Sequence, residues 1–295
     1  MSDILYCCKI DDNTGNTDLA DELLTALGYD FSTWEDREAH NTYHTLYFDT
    51  PEDADSARTE IGKIRSFWEE CGWYPGAVEC FEIKREDWAE VWKKFFHIQH
   101  VTDRLVIRPS WLEYAPKPGQ VIVDLDPGMS FGTGQHATTS FCLRMIDRMA
   151  GQPGMKSFLD AGSGSGILSI AAKKLGYNPV QAFDNDPEAT RVAIENAENN
   201  GFTRDDIEFQ TADLTQFDRH AGSYDLVAAN ILGRVLLAHR ELITGWVRPG
   251  GYLVLAGILH EEFPELQAGF EELGLTLEYC QSEKEWTGGF FHKAE

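Results

Sequence analysis

The stretch Ser157-Phe-Leu-Asp-Ala-Gly-Ser-Gly-Ser-Gly-Ile-Leu168 constrains this chain more than any other. A short apolar run ends at Asp160, and Gly162, Gly164 and Gly166 then lead into residues with helical spacing. Glycine tolerates positive φ and lets a ligand approach backbone N–H groups, so the segment reads as a strand-to-helix turn at a ligand site. A dinucleotide loop wants G-x-G-x-x-G. Here the spacing is G-x-G-x-G, with Ile167 in the place of the third glycine. Asp160 stands two residues before the first glycine, where its charge opposes a pyrophosphate and suits a cationic ammonium group. The pattern argues against NAD and towards S-adenosylmethionine, which carries both an amine and a sulfonium.

The flanking pattern sets the fold. From about residue 120, strands alternate with helices, as in a mostly parallel sheet. Expected strands are 157–160, 180–184, 207–211, 224–229, 252–258, 275–281 and 288–293. Helices are expected at 140–149, 166–175, 187–199, 235–247 and 262–273. The last two strands follow one another directly and predict an antiparallel edge hairpin. The first 85 residues read β-α-β-β-α-β, a ferredoxin-like unit. Residues 86–118 read as a connector: Trp88, Trp92, Phe95 and Phe96 share one helical face, a short strand follows at 105–107, and Pro109, Pro116 and Pro118 punctuate the rest. The expected architecture is a small ferredoxin-like α+β domain (1–85), a helical and proline-punctuated linker (86–118), and a doubly wound seven-stranded Rossmann-like α/β domain (119–295).

Successive strand ends carry the remaining polar signals. Asp184 lies 24 residues after Asp160, where a carboxylate holds ribose hydroxyls. Asp213, after the third strand, is placed to accept from an adenine amino group. Each of these carboxylates also fits a loop or helix cap, but three at successive strand ends beside the glycine loop favour a cofactor site. Asn230 ends the fourth strand, either as a helix cap or with its amide oxygen accepting from an amine nucleophile. Upstream, Gly128, Gly132 and Gly134 make a glycine-rich loop suited to closing over a cofactor. His136 in that segment is a structural loop histidine or a proton acceptor. His40 and His44 lack the H-E-x-x-H pattern and read as non-catalytic.

Charge excludes some functions. Forty-nine acidic residues against 25 basic ones leave −24, and residues 1–100 alone carry 22 acids and 9 bases. Such a surface repels nucleic-acid backbone and attracts basic partners, or simply maintains solubility. The six cysteines show no paired C-x-x-C spacing, so neither a disulfide framework nor a metal site is expected. No apolar run reaches the roughly 18 residues of a membrane span, and no basic-then-apolar leader opens the chain. The expectation is a cytoplasmic monomer that binds neither membrane nor nucleic acid.

Asp126-Pro-Gly-Met-Ser-Phe-Gly-Thr-Gly-Gln-His-Ala-Thr-Thr139, Asp160-Ala-Gly-Ser-Gly-Ser-Gly-Ile-Leu168 and Ala229-Asn-Ile-Leu232 together resemble the ribosomal protein L11 methyltransferases. Trp88–Phe96, Arg108-Pro-Ser-Trp111 and Glu285-Trp-Thr-Gly-Gly-Phe290 extend the likeness over nearly the whole chain. The resemblance implies transfer of methyl groups from S-adenosylmethionine to lysine side-chain and N-terminal amines of that basic ribosomal protein. It implies cofactor binding at Thr139, Gly162, Asp184 and Asn230, beside Asp160 and Gly164 of the glycine loop, and substrate recognition by the acidic N-terminal unit. Gln135 and Ala137 stand where the family has Thr and Pro, and Ser163 replaces a common Cys. Asn230 is the expected catalytic residue, orienting the amine. The alternatives are a same-fold methyltransferase for another basic protein or small amine, and a non-catalytic acidic adaptor.

Overall fold

The computed structural model describes residues 4–14, 17–36, 41–84, 96–126, 136–217 and 222–295. The chain divides into two compact units, Met1–Phe96 and His97–Glu295. The first contains β1 (Ile4–Asp12), α1 (Thr17–Ala26), β2 (Phe31–Asp36), β3 (Asn41–Phe48), α2 (Pro51–Cys71) and β4 (Pro75–Lys84). Its sheet runs β2-β3-β1-β4 with every neighbour antiparallel. Thr50 caps α2 by accepting from the Asp53 N–H at 3.2 Å, Pro51 fits the first turn, and Gly72 ends the helix at φ 96°. Ala54, Ala57, Ile61 and Trp68 recur at helical spacing and are buried. Ala54, Ile61 and Trp68 join a core that includes Cys8, Ile10, Leu46 and Trp73.

The second unit begins with β5 (Gln99–His100), β6 (Leu105–Arg108) and β7 (Val121–Asp124), a three-stranded sheet. This differs from the expected linker. Leu105, Val106 and Ile107 are almost fully buried, so residues 97–118 are part of the second unit's own structure rather than a spacer. Most of the expected aromatic helix at 86–96, and the glycine-rich loop through Gly134, lie outside the described residues.

There follow α3 (Ala137–Met149), β8 (Phe158–Ala161), α4 (Ile167–Lys174), β9 (Val180–Asp184), α5 (Pro187–Asn199), β10 (Glu208–Thr211), β11 (Tyr224–Asn230), α6 (Gly233–Ala238), α7 (Arg240–Trp246), β12 (Val247–Leu259), α8 (Phe263–Glu271), β13 (Leu275–Glu283) and β14 (Trp286–Lys293). Seven strands form one sheet in the order β10-β9-β8-β11-β12-β14-β13. The pairs from β10 to β12 are parallel, while β12–β14 and β13–β14 are antiparallel, with β13 at the edge. The expected helix at 235–247 is two helices, interrupted at His239 (φ −115°, ψ 21°).

Central strands are mostly apolar because both faces are covered. Along β11, Leu226 and Ala228 join one core cluster while Val227 and Ala229 join another. That alternation follows from the two-residue period of a strand. Strand order reverses between β8 and β11, so the carboxyl ends of these two strands flank a crevice, the usual ligand position in an open α/β sheet.

Asp225 at the other end of β11 ties this centre together. Its Oδ2 accepts from the Lys156 and Ser157 N–H groups at 2.9 and 2.8 Å and from Ser157 Oγ at 2.8 Å, and its Oδ1 accepts from Arg248. Burial pushes this carboxyl up, but Arg248 and the Ser157 and Lys156 donors outweigh it and hold it below the ordinary carboxylate range. A depressed folded value stabilises above the unfolded value and is lost as pH falls through the folded one. Asp225→Asn should therefore cost about 2–4 kcal/mol in urea unfolding at pH 7. The gap from the wild type should narrow as the acid range is entered.

Candidate functional site

The site is organised by the turn leaving β8. Gly162 (φ 80°), Gly164 (φ 52°) and Gly166 (φ 77°) take left-handed conformations, which L side chains rarely adopt. The N–H groups of Gly162 and Ser163 donate to the Phe183 carbonyl at 2.9 and 3.0 Å, lashing the turn to the end of β9. A Cβ on Gly162 would come within 2.4 Å of Ile231 Cγ2, and one on Gly166 within 2.9 Å of Ala193 Cβ. Both glycines are required by packing as well as by φ.

A cavity of about 470 Å³ opens at these strand ends. Gly162, Phe183, Asp213 and Asn230 line it, with His136 and Trp286 from α3's N-terminal end and from β14. Among the described lining residues there is no Lys or Arg, and Asp213 is the one carboxylate. This electrostatic balance disfavours a pyrophosphate and favours a ligand bearing positive charge.

The expected site residues separate into three positions. Gly162 and Asn230 line the cavity. Asn230 Nδ2 donates to Thr139 Oγ1 at 3.4 Å, while its buried Oδ1 has no partner among the described residues. Thr139 thus stands behind Asn230, and its neighbour Thr138 lines the cavity. Gly164 and Asp184 pair with each other beside it: the Gly164 N–H donates to Asp184 Oδ2 at 2.8 Å, and the Asp186 N–H to Oδ1 at 3.0 Å. Asp160 is fully buried and does not line the cavity. Its Oδ2 accepts from the Ser169 N–H at 3.1 Å and Ser169 Oγ at 2.7 Å, so that oxygen holds α4 against β8, and Oδ1 has no partner among the described residues.

Asp213 lies at the cavity as expected, its Oδ1 accepting from the Thr215 N–H and Oγ1. Those bonds hold its carboxyl below the ordinary range. His136 is bonded to Thr138 at 2.7 Å and meets the Trp286 ring edge-on at 5.2 Å. Residue spacing missed the walls Phe183, Leu214, Ile231 and Val235. Phe183 and Ile231 adjoin named residues, whereas Trp286 arrives from β14 and has no local signal. Among the described residues, no cluster of three or more His, Cys, Asp or Glu side chains is arranged to hold a metal.

A family model described as "Ribosomal protein L11 methyltransferase (PrmA)" matches residues 21–293. The chain belongs to this family. Its relatives include the ribosomal protein L11 methyltransferase of Desulforapulum autotrophicum, 43% identical over 204 residues that cover 69% of this chain and 66% of the relative. The protein of the same name from Chloroflexus aurantiacus is 40% identical over 232 residues, covering 72% of this chain and 70% of the relative. The matches thus span about two thirds of the relatives' lengths. The crystal structure of a ribosomal protein L11 methylase from Lactobacillus delbrueckii subsp. bulgaricus aligns with a TM-score of 0.60 at 32% identity. That alignment covers 68% of this chain and all of the other. It supports the α/β methyltransferase fold with a mixed central sheet for this family member.

Burial pushes the Asp160 carboxyl up to about 7, against the Ser169 donors that lower it and with a further rise from Asp184. The native state then keeps a proton that the unfolded chain has released. Stability must fall as pH rises from about 4 to about 7. Asp160→Asn removes that loss. In denaturant titrations the variant should gain on the wild type by about 2.5–3 kcal/mol between pH 5 and pH 8. A difference independent of pH would contradict the assignment.

Proposed function

We propose that this family member transfers methyl groups from S-adenosylmethionine to lysine side-chain and N-terminal amines of ribosomal protein L11. The observation that carries the reading is Asn230 in the switch-point cavity, with a buried carboxamide oxygen that no donor among the described residues satisfies. A buried acceptor without a partner is suited to an incoming N–H. The cavity also fits the methyl donor. Gly162 brings backbone without a side chain to its wall, Phe183 and Leu214 supply apolar walls, and no basic side chain among the described lining residues opposes a sulfonium or ammonium. Asp213 is placed for the adenine amino group. Asp184 keeps lone pairs beyond its two backbone bonds for ribose hydroxyls.

Bound there, S-adenosylmethionine supplies an activated methyl whose departure needs no proton. The protein's work is then positioning. Free lysine has a pKa near 10.4, and the apolar walls favour its neutral form by desolvation. Asn230 Oδ1 accepts one amine N–H and so directs the nitrogen lone pair, while Thr139 fixes the carboxamide from behind. His136 is bonded to Thr138 and packed edge-on against Trp286, which supports a structural role for it.

The order β2-β3-β1-β4 supports a ferredoxin-like reading of the first unit. We read that unit, expected over 1–85 and reaching Phe96 as a compact body, as the acidic recognition domain for the basic substrate. No described helix is long and apolar enough to cross a membrane, and a cytoplasmic monomer without nucleic-acid affinity fits the reading.

Incubation of the full chain with L11 and S-adenosylmethionine should add methyl groups to L11 amines, read by mass spectrometry. Asn230→Ala should lower kcat by about 10²-fold while cofactor affinity changes much less. Raising salt from 0.1 to 1 M shortens the Debye length from about 10 to about 3 Å. It should lower kcat/KM through substrate association and leave kcat nearly constant. An unmodified L11 would overturn the substrate assignment.

A further inference from the structure

Cys8 and Cys80 face each other directly across the antiparallel β1–β4 pair. Directly opposed residues in such a pair have Cα atoms about 4.5–5.5 Å apart, within the 4.4–6.8 Å span of disulfides. Their Sγ atoms lie 2.6 Å apart and both thiols are free, so the two side chains point at each other. The two partners differ in access. Cys8 is fully buried, with its thiol donating to the Ala54 carbonyl of α2 at 3.4 Å, whereas Cys80 is exposed on β4. Cys7 is buried too, but as the next residue in a strand it points to the opposite face and cannot compete for Cys80.

We propose that Cys8 and Cys80 are a reversible covalent modification site, closing to a cross-strand disulfide by exchange with a small-molecule disulfide of the glutathione class. The exposed Cys80 thiolate attacks one sulfur of that disulfide, breaking its S–S bond and expelling one small thiolate. The Cys8 thiolate then attacks Cys80 Sγ, forming the cross-strand bond and expelling the second. The two cysteine protons end on the two expelled thiols. The pair loses two electrons, and the small disulfide gains them. Burial, and then the hydrogen bond with Cys80, push the Cys8 thiol well above its ordinary value. That makes its attack the slow step, because the thiolate is the reacting species. Closure also removes the thiol hydrogen that Cys8 gives to α2 and joins β1 to β4. The proposal is independent of the methyl-transfer reading.

The test equilibrates the full chain in glutathione buffers from fully reduced to fully oxidised, followed by acid quench, alkylation and peptide mapping by tandem mass spectrometry. The expected result is a peptide containing Cys8 linked to one containing Cys80, removing two of the chain's six thiols. Fragmentation should assign the link to Cys8 rather than Cys7. In Cys80→Ser, Cys8 should remain alkylatable at every ratio. Glutathione held on Cys80 with Cys8 still free would overturn the proposal. So would oxidation confined to the exposed Cys71 and Cys280.

Discussion

The left-handed turn after β8 is the constraint on which the rest of the second unit depends. The chain must pass from Ala161 to the start of α4 at Ile167 while giving two N–H groups to the Phe183 carbonyl. Gly162 has Ile231 against the place of a Cβ, and Gly166 has Ala193 there. A side chain at either position would separate β8 from β11 or α4 from α5. Because β8 and β11 flank the point where strand order reverses, the same close approach that packs the sheet also shapes the cavity. Packing and ligand site are one geometric requirement.

Carboxylates around this turn mostly hold backbone in place. Asp184 binds the Gly164 and Asp186 N–H groups, Asp160 binds Ser169, and Asp213 binds Thr215. Each satisfies donors that a tight loop or helix start leaves without partners. The site's acidity is therefore anchored, and it does not need a ligand to keep its shape. Asn230 is the contrast: its amide N–H reaches Thr139, and its oxygen has no partner among the described residues. On the proposed reading, that leftover acceptor turns a rigid cofactor crevice into a place where an amine is aimed.

Much of this was legible in the sequence, because strand and helix periods, caps and glycines are local signals. The strands of the large sheet and the order of elements in the small unit match the expected ones to within a few residues at most ends. What was not legible depends on contacts between distant residues. Spacing pairs Asp160 with a ligand ammonium, but folding α4 over the strand brings Ser169 to it first. Prolines suggested a linker over 86–118, while the buried Leu105–Ile107 within it belongs to a sheet completed by Val121–Asp124. The interruption at His239 carries no helix-breaking residue to announce it. Trp286 reaches the cavity only because β14 inserts between β12 and β13.

The central claim is that the crevice at the ends of β8, β9 and β11 accepts a cationic methyl donor and refuses a pyrophosphate. Calorimetric titration of the full chain with S-adenosylmethionine and, in parallel, with NAD tests it most directly. The account predicts saturable one-to-one binding of S-adenosylmethionine and no binding of NAD. Saturable NAD binding that S-adenosylmethionine displaces, or no binding of S-adenosylmethionine at all, would contradict it.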